Sequence, residues 1–273
     1  MKTVKKFLFA VLLLLSSCMK QFDNPLDPES AAYIPPSVEI TSPGENEIVN
    51  STSVTVSWIG NKPEANEYRY RLVGYSDWSQ WTTLTSATFN YLDDVEYTFE
   101  IEVRYKGQND VRRFSRKFKV DGVKGPTLKF YKLRNVLTSS GQEFTIDVWI
   151  EEVNRFKSGS FKVYFNPNEA LLVSVSKGDY VRNSGFEQII TPDFSLQKTI
   201  DEANTKGYVE ITTGILATSQ GFVSLSGSGD IVKLKFVARA WSGRFQLRDI
   251  DLRDENGNKI NVNPTPEAIY EVR

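Results

Sequence analysis

Short runs of alternating apolar and polar residues recur along this chain, and a period of two predicts strands rather than helices. Val54, Val56 and Trp58 alternate with Thr55 and Ser57. Tyr68-Arg69-Tyr70-Arg71-Leu72 repeats the pattern, and Tyr97, Phe99, Ile101, Val103 and Tyr105 share one face of a longer run. Val38 to Ile40 opens this series, Thr41-Ser42-Pro43-Gly44 makes a turn, and Phe114 to Val120 closes it. Residues 123–126 (VKGP) read as a short hinge. A second series follows: Leu128 to Val136, Phe144 to Ile150, Ser158 to Phe165, Ala170 to Val175, Gly207 to Thr212, Ile231 to Phe236 and Gly243 to Asp251. The spacing predicts an all-β chain made of two sandwiches, over residues 37–122 and 125–273, with no internal sequence repeat between them.

The first residues have a different pattern. Lys2, Lys5 and Lys6 precede an apolar run from Phe7 to Leu15, then the small Ser16 and Ser17. That is the layout of a cleaved signal peptide, residues 1–17. The apolar run is short of the ~20 residues a membrane span needs. Leu15-Ser16-Ser17-Cys18 resembles the lipobox of bacterial lipoproteins, which implies lipidation of Cys18. Cys18 is the one cysteine in the chain, so it has no intramolecular disulfide partner. Residues 18–36 then read as a lipidated tether, because Pro25, Pro28, Pro35 and Pro36 block regular structure and favour extended backbone. The resemblance implies a lipid-anchored protein of a bacterial cell envelope. Met19 is not the aspartate that retains such proteins at the inner membrane of enterobacteria, which favours the outer membrane.

Composition narrows the chemistry. The chain has no histidine, which removes the commonest general base, the Ser-His and Cys-His nucleophile pairs and the commonest zinc ligand. Without Lys2, Lys5 and Lys6 the 33 basic residues fall to 30 against 34 acidic ones. That balance carries no nucleic-acid footprint.

The remaining motifs have structural readings. Asp93-Asp94, Glu151-Glu152 and Asp201-Glu202 are adjacent carboxylates; neighbours on a strand point to opposite faces, whereas glycoside hydrolysis needs two carboxyls converging across one bond. Ser174-x-x-Lys177 lies in an alternating strand, not at the helix start that a serine nucleophile of this pattern needs. Asp251, Asp254, Asn256 and Asn258 supply hard oxygens, but their offsets from Gly257 fit an Asn-Gly hairpin turn better than a calcium loop. No catalytic or metal site is expected. Trp58 is expected in the core. Trp149 is expected on the outward face with Thr145 and Asp147. Trp78 and Trp81 flank a turn and are the candidates for stacking on a sugar.

Two resemblances add to this reading. The order TSPG, VTVSW, YRYRL, W-x-x-W, LDDVEYTFEIEVRY over residues 37–122 resembles fibronectin type III-like and immunoglobulin-like modules. Residues 125–273 resemble the cohesin domain. Gly141 before FTIDVWI, the run Gly159 to Pro167, the run Leu171 to Gly178, and Gly227-Ser228-Gly229 before a strand ending in Phe236 follow that family's order. The closing Asp-x-x-Gly turn follows it too, and Phe165-Asn166-Pro167 replaces the family's Tyr-Asp-Pro. The resemblance implies a nine-stranded jelly-roll sandwich without catalytic activity. It also implies one outer sheet face that captures a dockerin-bearing protein, with any calcium brought by that partner. By strand alternation the outward residues are Lys162, Tyr164, Tyr208, Glu210, Thr212, Lys233 and Lys235. The function expected is a membrane-anchored binding or scaffold lipoprotein, in polysaccharide degradation if its partner is a glycan-degrading enzyme. The alternative is an envelope lipoprotein that binds a glycan directly.

Overall fold

The computed structural model describes residues 24–216 and 223–273. The expected lipidation site Cys18 and the signal peptide lie outside the described residues. Strands dominate. In chain order they are β1 (Val38–Ser42), β2 (Glu47–Val49), β3 (Val54–Gly60), β4 (Asn66–Leu72), β5 (Ser86–Phe89), β6 (Glu96–Tyr105) and β7 (Arg112–Val120). Then come β8 (Thr127–Tyr131), β9 (Arg134–Leu137), β10 (Glu143–Phe165), β11 (Ala170–Lys177), α1 (Tyr180–Asn183) and β12 (Gln188–Thr191). The last elements are α2 (Gln197–Lys206), β13 (Tyr208–Ile215), β14 (Leu225–Ala238), β15 (Ser242–Asp254), β16 (Lys259–Ile260) and β17 (Ala268–Val272). The chain is all-β, as its periodicity predicts.

The described chain divides into two compact units. Residues 24–41, 57–85 and 99–115 form one; residues 42–56, 86–98 and 116–273 form the other. The first seven strands make a three-stranded sheet, β1-β3-β5, and a four-stranded sheet, β2-β7-β6-β4. In the first unit Trp58 is buried, as expected, stacked 5.7 Å from Phe99 and edge-on to Tyr68 at 6.0 Å. Short strands with weak alternation, β2 and β5, are not legible in the sequence.

Two features of the first unit are not legible in the sequence. Residues 24–36 are turned and pinned rather than extended. Tyr33 donates its hydroxyl to Asp110 (2.5 Å), Gln108 donates to the Leu26 carbonyl (2.7 Å), Tyr105 to that of Ile34 (2.6 Å) and Asn61 to that of Pro35 (2.9 Å). The Trp78 and Trp81 rings lie among arginines. Arg69, Arg71 and Arg113 sit 5.3, 4.8 and 5.1 Å from the Trp78 ring. Arg104 and Arg69 sit 4.0 and 5.1 Å from Trp81. Carboxylates on the same face fix those guanidinium groups: Glu102 takes Arg69 and Arg113, each at 2.6 Å, and Glu67 takes Arg104 at 2.8 Å.

The second unit is built around β10, whose 23 residues run without a break where the sequence predicts two strands. Its first half pairs with β14 and β8, and its second half with β13 and β15. Register shifts separate the halves, with Glu152 and Arg155 at positive φ. Backbone amides orphaned by such bulges need other acceptors. The Ser228 hydroxyl accepts from Glu152 N and that of Ser226 from Arg155 N, each at 2.9 Å. This gives the Ser226-Gly227-Ser228-Gly229 run a structural role.

Both halves of β10 point their apolar residues into one core. Ile146 and Val148 come from the first half and Phe161, Val163 and Phe165 from the second, joined by Ile211, Leu234, Phe236 and Phe245. The outward residues of the two halves therefore lie on opposite surfaces of the sandwich. The edge of β11 is closed by α2: the Asn204 side chain accepts from Leu172 N (2.9 Å) and donates to Leu172 O (3.0 Å). Residues 122–125 are held rather than free. Asp94 accepts from Gly122 N and Val123 N, and Asn263 donates to the carbonyls of Lys124 and Gly125. Buried Lys129 lies 2.7 Å from both Asp94 and Glu151.

Candidate functional site

The most organised outer surface of the second unit is the sheet formed by β13, the second half of β10, and β15. Its register sets three rows. Tyr208, Tyr164 and Gln246 are Cα partners across the strands, as are Glu210, Lys162 and Arg248, then Thr212, Ser160 and Asp251. Five of the seven residues expected on the partner-binding face thus come together: Lys162, Tyr164, Tyr208, Glu210 and Thr212. Their inward neighbours Phe161, Val163, Val209 and Ile211 are buried, so alternation fixes the outward set.

The rows are knitted by chemistry. The Tyr164 and Tyr208 rings meet at 5.1 Å with 30° between planes. Lys162 Nζ lies 5.5 Å from the Tyr208 ring and Arg248 Cζ 5.0 Å from the Tyr164 ring. Lys162 also bonds Asp249 at 2.8 Å. That hydrogen bond raises the Lys162 pKa and keeps the amine charged. Gln246 bonds Glu267, which also pairs with Arg244 at 3.3 Å.

Asp249, Arg248 and Gln246 are absent from the sequence reading. Alternation with the buried Phe245 and Leu247 places Gln246 and Arg248 outward, but it cannot place Asp249, because the register between β10 and β15 shifts between Ser160 and Lys162. Asp249 sits in that shift at φ 52. A bulge re-aims the side chain it carries, and Asp tolerates the left-handed region better than most residues. Here it aims a carboxylate at Lys162.

The start of β13 is set by its predecessor. Gly207 ends α2 at φ 73 and caps it in the left-handed conformation, a usual place for glycine. Tyr208 follows at once and enters the aromatic row. Beside that row lies a cleft of about 300 Å³, lined by Thr191, Phe194, Glu202, Lys206, Tyr208 and Glu210 among others.

Lys233 and Lys235 are not part of this face. They pair with Asp147 and Thr145 on the first half of β10, on the opposite surface. Lys233 is held at 2.6 Å by Asp179, which raises its pKa and lowers that of Asp179. Lys235 pairs with Glu143. Alternation distinguishes inward from outward, not one outer sheet from the other. Trp149 shares the surface of Lys233 but is half-buried, its ring 5.0 Å from that of Tyr131.

Among the described residues no group of three or more Cys, Asp or Glu is arranged to hold a metal ion. Asp254 spends its carboxylate on its own turn, accepting from Asn256 N at 2.9 Å and Asn258 N at 2.8 Å. Asp251 is paired with Arg253 at 2.8 Å.

No protein-family model matches the chain, and no curated protein matches it. Solved structures that resemble it are consistently cohesin domains. The non-cellulosomal cohesin of the hyperthermophilic archaeon Archaeoglobus fulgidus is 20% identical, with 54% of this chain and 90% of that one covered at a TM-score of 0.38. The sixth cohesin of scaffoldin B from Acetivibrio cellulolyticus, in complex with a dockerin, is 13% identical, with 55% and 100% covered at 0.42. A type I cohesin–dockerin complex from Clostridium thermocellum gives 13%, with 54% and 99% covered at 0.41.

Proposed function

We propose that this chain is a non-catalytic binding lipoprotein, and that the β13-β10-β15 face captures a dockerin-type protein partner. The observation that carries the reading is the Tyr164–Tyr208 pair, ringed by Lys162, Arg248, Asp249 and Glu210 on a sheet backed by the core. An aromatic centre with a charged surround on a rigid element is the composition of a protein-binding hot spot. The ordered motifs over residues 125–273 supply the partner class. In this reading Cys18 carries the lipid, and the protein holds its partner at an envelope membrane, on the outer one by the Met19 argument. Such tethering makes later encounters with anything on that surface effectively intramolecular. Polysaccharide breakdown is the process served if the partner is a glycan-degrading enzyme.

Sugar stacking through Trp78 and Trp81 has less support, because guanidinium groups meet those rings. The test is direct: the mature chain is immobilised and offered each dockerin-bearing protein of the same cell, with calcium and with chelator. Saturable retention that Tyr164→Ala strongly weakens is expected. Failure of every dockerin under both conditions ends the dockerin reading.

A further inference from the structure

The segment between the expected lipid and the first sandwich is short, and most of it is docked. Residues 24–36 are held by Asn61, Tyr105, Gln108 and Asp110 through the four hydrogen bonds given above, and Tyr33 packs edge-on against Tyr105 at 6.4 Å. Burial, then the hydrogen bond to Asp110, pushes the Tyr33 hydroxyl up to about 12, so this latch stays protonated at any physiological pH. All the docking partners belong to one end of the first unit. There β4 begins, since Asn66 pairs with Tyr105 at the end of β6. The far end, where Leu72 pairs with Phe99, is about 20 Å away along the strand.

Only about six residue steps separate Cys18 from Asn24. Fully extended, they reach at most about 22 Å. A lipid on Cys18 therefore holds the docked end close to the bilayer, whatever path those residues take. The same end exposes apolar side chains: Ile34 is 44%, Ile59 51% and Val111 37% exposed. Lys62 and Lys106 belong to the same end, since Asn66 N bonds Lys62 O and Lys106 N bonds Ala65 O, each at 2.9 Å; lysine stems can lie along apolar surface while the amines stay in water.

We infer that this end of the first unit, marked by Ile34, Ile59, Lys62, Lys106 and Val111, rests on the lipid surface itself. Residues 24–36 act as a strap that fixes it there, not as a free leash. The inference rests on the lipidation of Cys18 and adds a defined membrane-facing surface to it. In the acylated chain a second, introduced cysteine is the only free thiol, so one dye can be placed at Asn109→Cys on the docked end or at Asp77→Cys on the far end. The full mature lipoprotein is reconstituted in vesicles of phosphatidylethanolamine and phosphatidylglycerol carrying an acceptor-labelled lipid. Energy transfer to the lipid plane is expected to be clearly greater from position 109 than from position 77. The double change Tyr33→Phe, Asp110→Ala should reduce that difference by freeing the strap. An acylated chain with equal transfer from both positions overturns the placement while leaving the anchor intact. A mature chain whose mass lacks the lipid overturns both.

Discussion

Tyr164 and Tyr208 are Cα partners on neighbouring strands, and their rings meet 5.1 Å apart on the outer face of the second unit. An outward aromatic pair has little to do for the core beneath it, where Val163 and Val209 are already buried. Tyr164→Ala and Tyr208→Ala should each weaken capture of a dockerin partner by about 30-fold or more, as central aromatic anchors do. The stability cost should stay near that of a cross-strand pair, under ~1 kcal/mol. Titration calorimetry beside thermal melts separates the two; an unfolded Tyr164→Ala protein would place the pair in the fold rather than in the interface.

Asp249 allows backbone and charge to be tested independently. Its pairing with Lys162 is exposed, so Asp249→Asn should change unfolding free energy by less than ~1 kcal/mol. Asp249→Val puts a β-branched residue at φ 52, and the strain should cost about 1–2 kcal/mol more than the Asn variant. Urea titration of both variants checks the order. Equal stabilities would mean that the bulge relaxes without cost.

In the first unit, burial raises the Glu102 carboxyl, but hydrogen bonds from Arg113 and Arg69 more than offset it, and the net pKa is lowered. A carboxylate with a depressed folded pKa stabilises the fold above its unfolded pKa of about 4.3, and loses that contribution as pH falls through the lower folded value. The stability gap between the parent and Glu102→Gln should therefore be full at pH 7 and shrink below about pH 4. Melts across pH 3–7 read it. A gap independent of pH would mean that Glu102 acts by shape and not by charge.

Lys129 is 7% exposed and shared between Asp94 and Glu151. Removing one member of a buried ion set leaves the others uncompensated, typically a loss of 3–5 kcal/mol. Lys129→Met should approach that figure, and adding Glu151→Leu should recover part of it, since Asp94 keeps its backbone donors Gly122 N and Val123 N. A double variant no better than the single one would show that the cost lies in packing.

Alternation alone located most of the strands and the inward and outward sets of β10 and β13, because a period of two is written directly in residues such as Phe161, Val163, Val209 and Ile211. It found five members of the candidate face for the same reason. It assigned Lys233 and Lys235 to that face because outwardness has no handedness in sequence. It missed Asp249 because a bulge breaks the period it depends on. The pinned segment 24–36 was also invisible, since prolines announce the lack of regular structure and not where the turns dock.

The unbroken course of β10 has a mechanical consequence. A partner pulling on Lys162 or Tyr164 loads the second half of that strand, and the pull travels along covalent backbone into residues 143–150. There it is shared by the hydrogen-bonded ladders to β14 and β8. In a sandwich whose layers meet only through side chains, the same pull would peel the grasped sheet from its neighbour. Here one sheet cannot be sheared away without dragging the other, which suits a module gripped from one side and held fast from elsewhere.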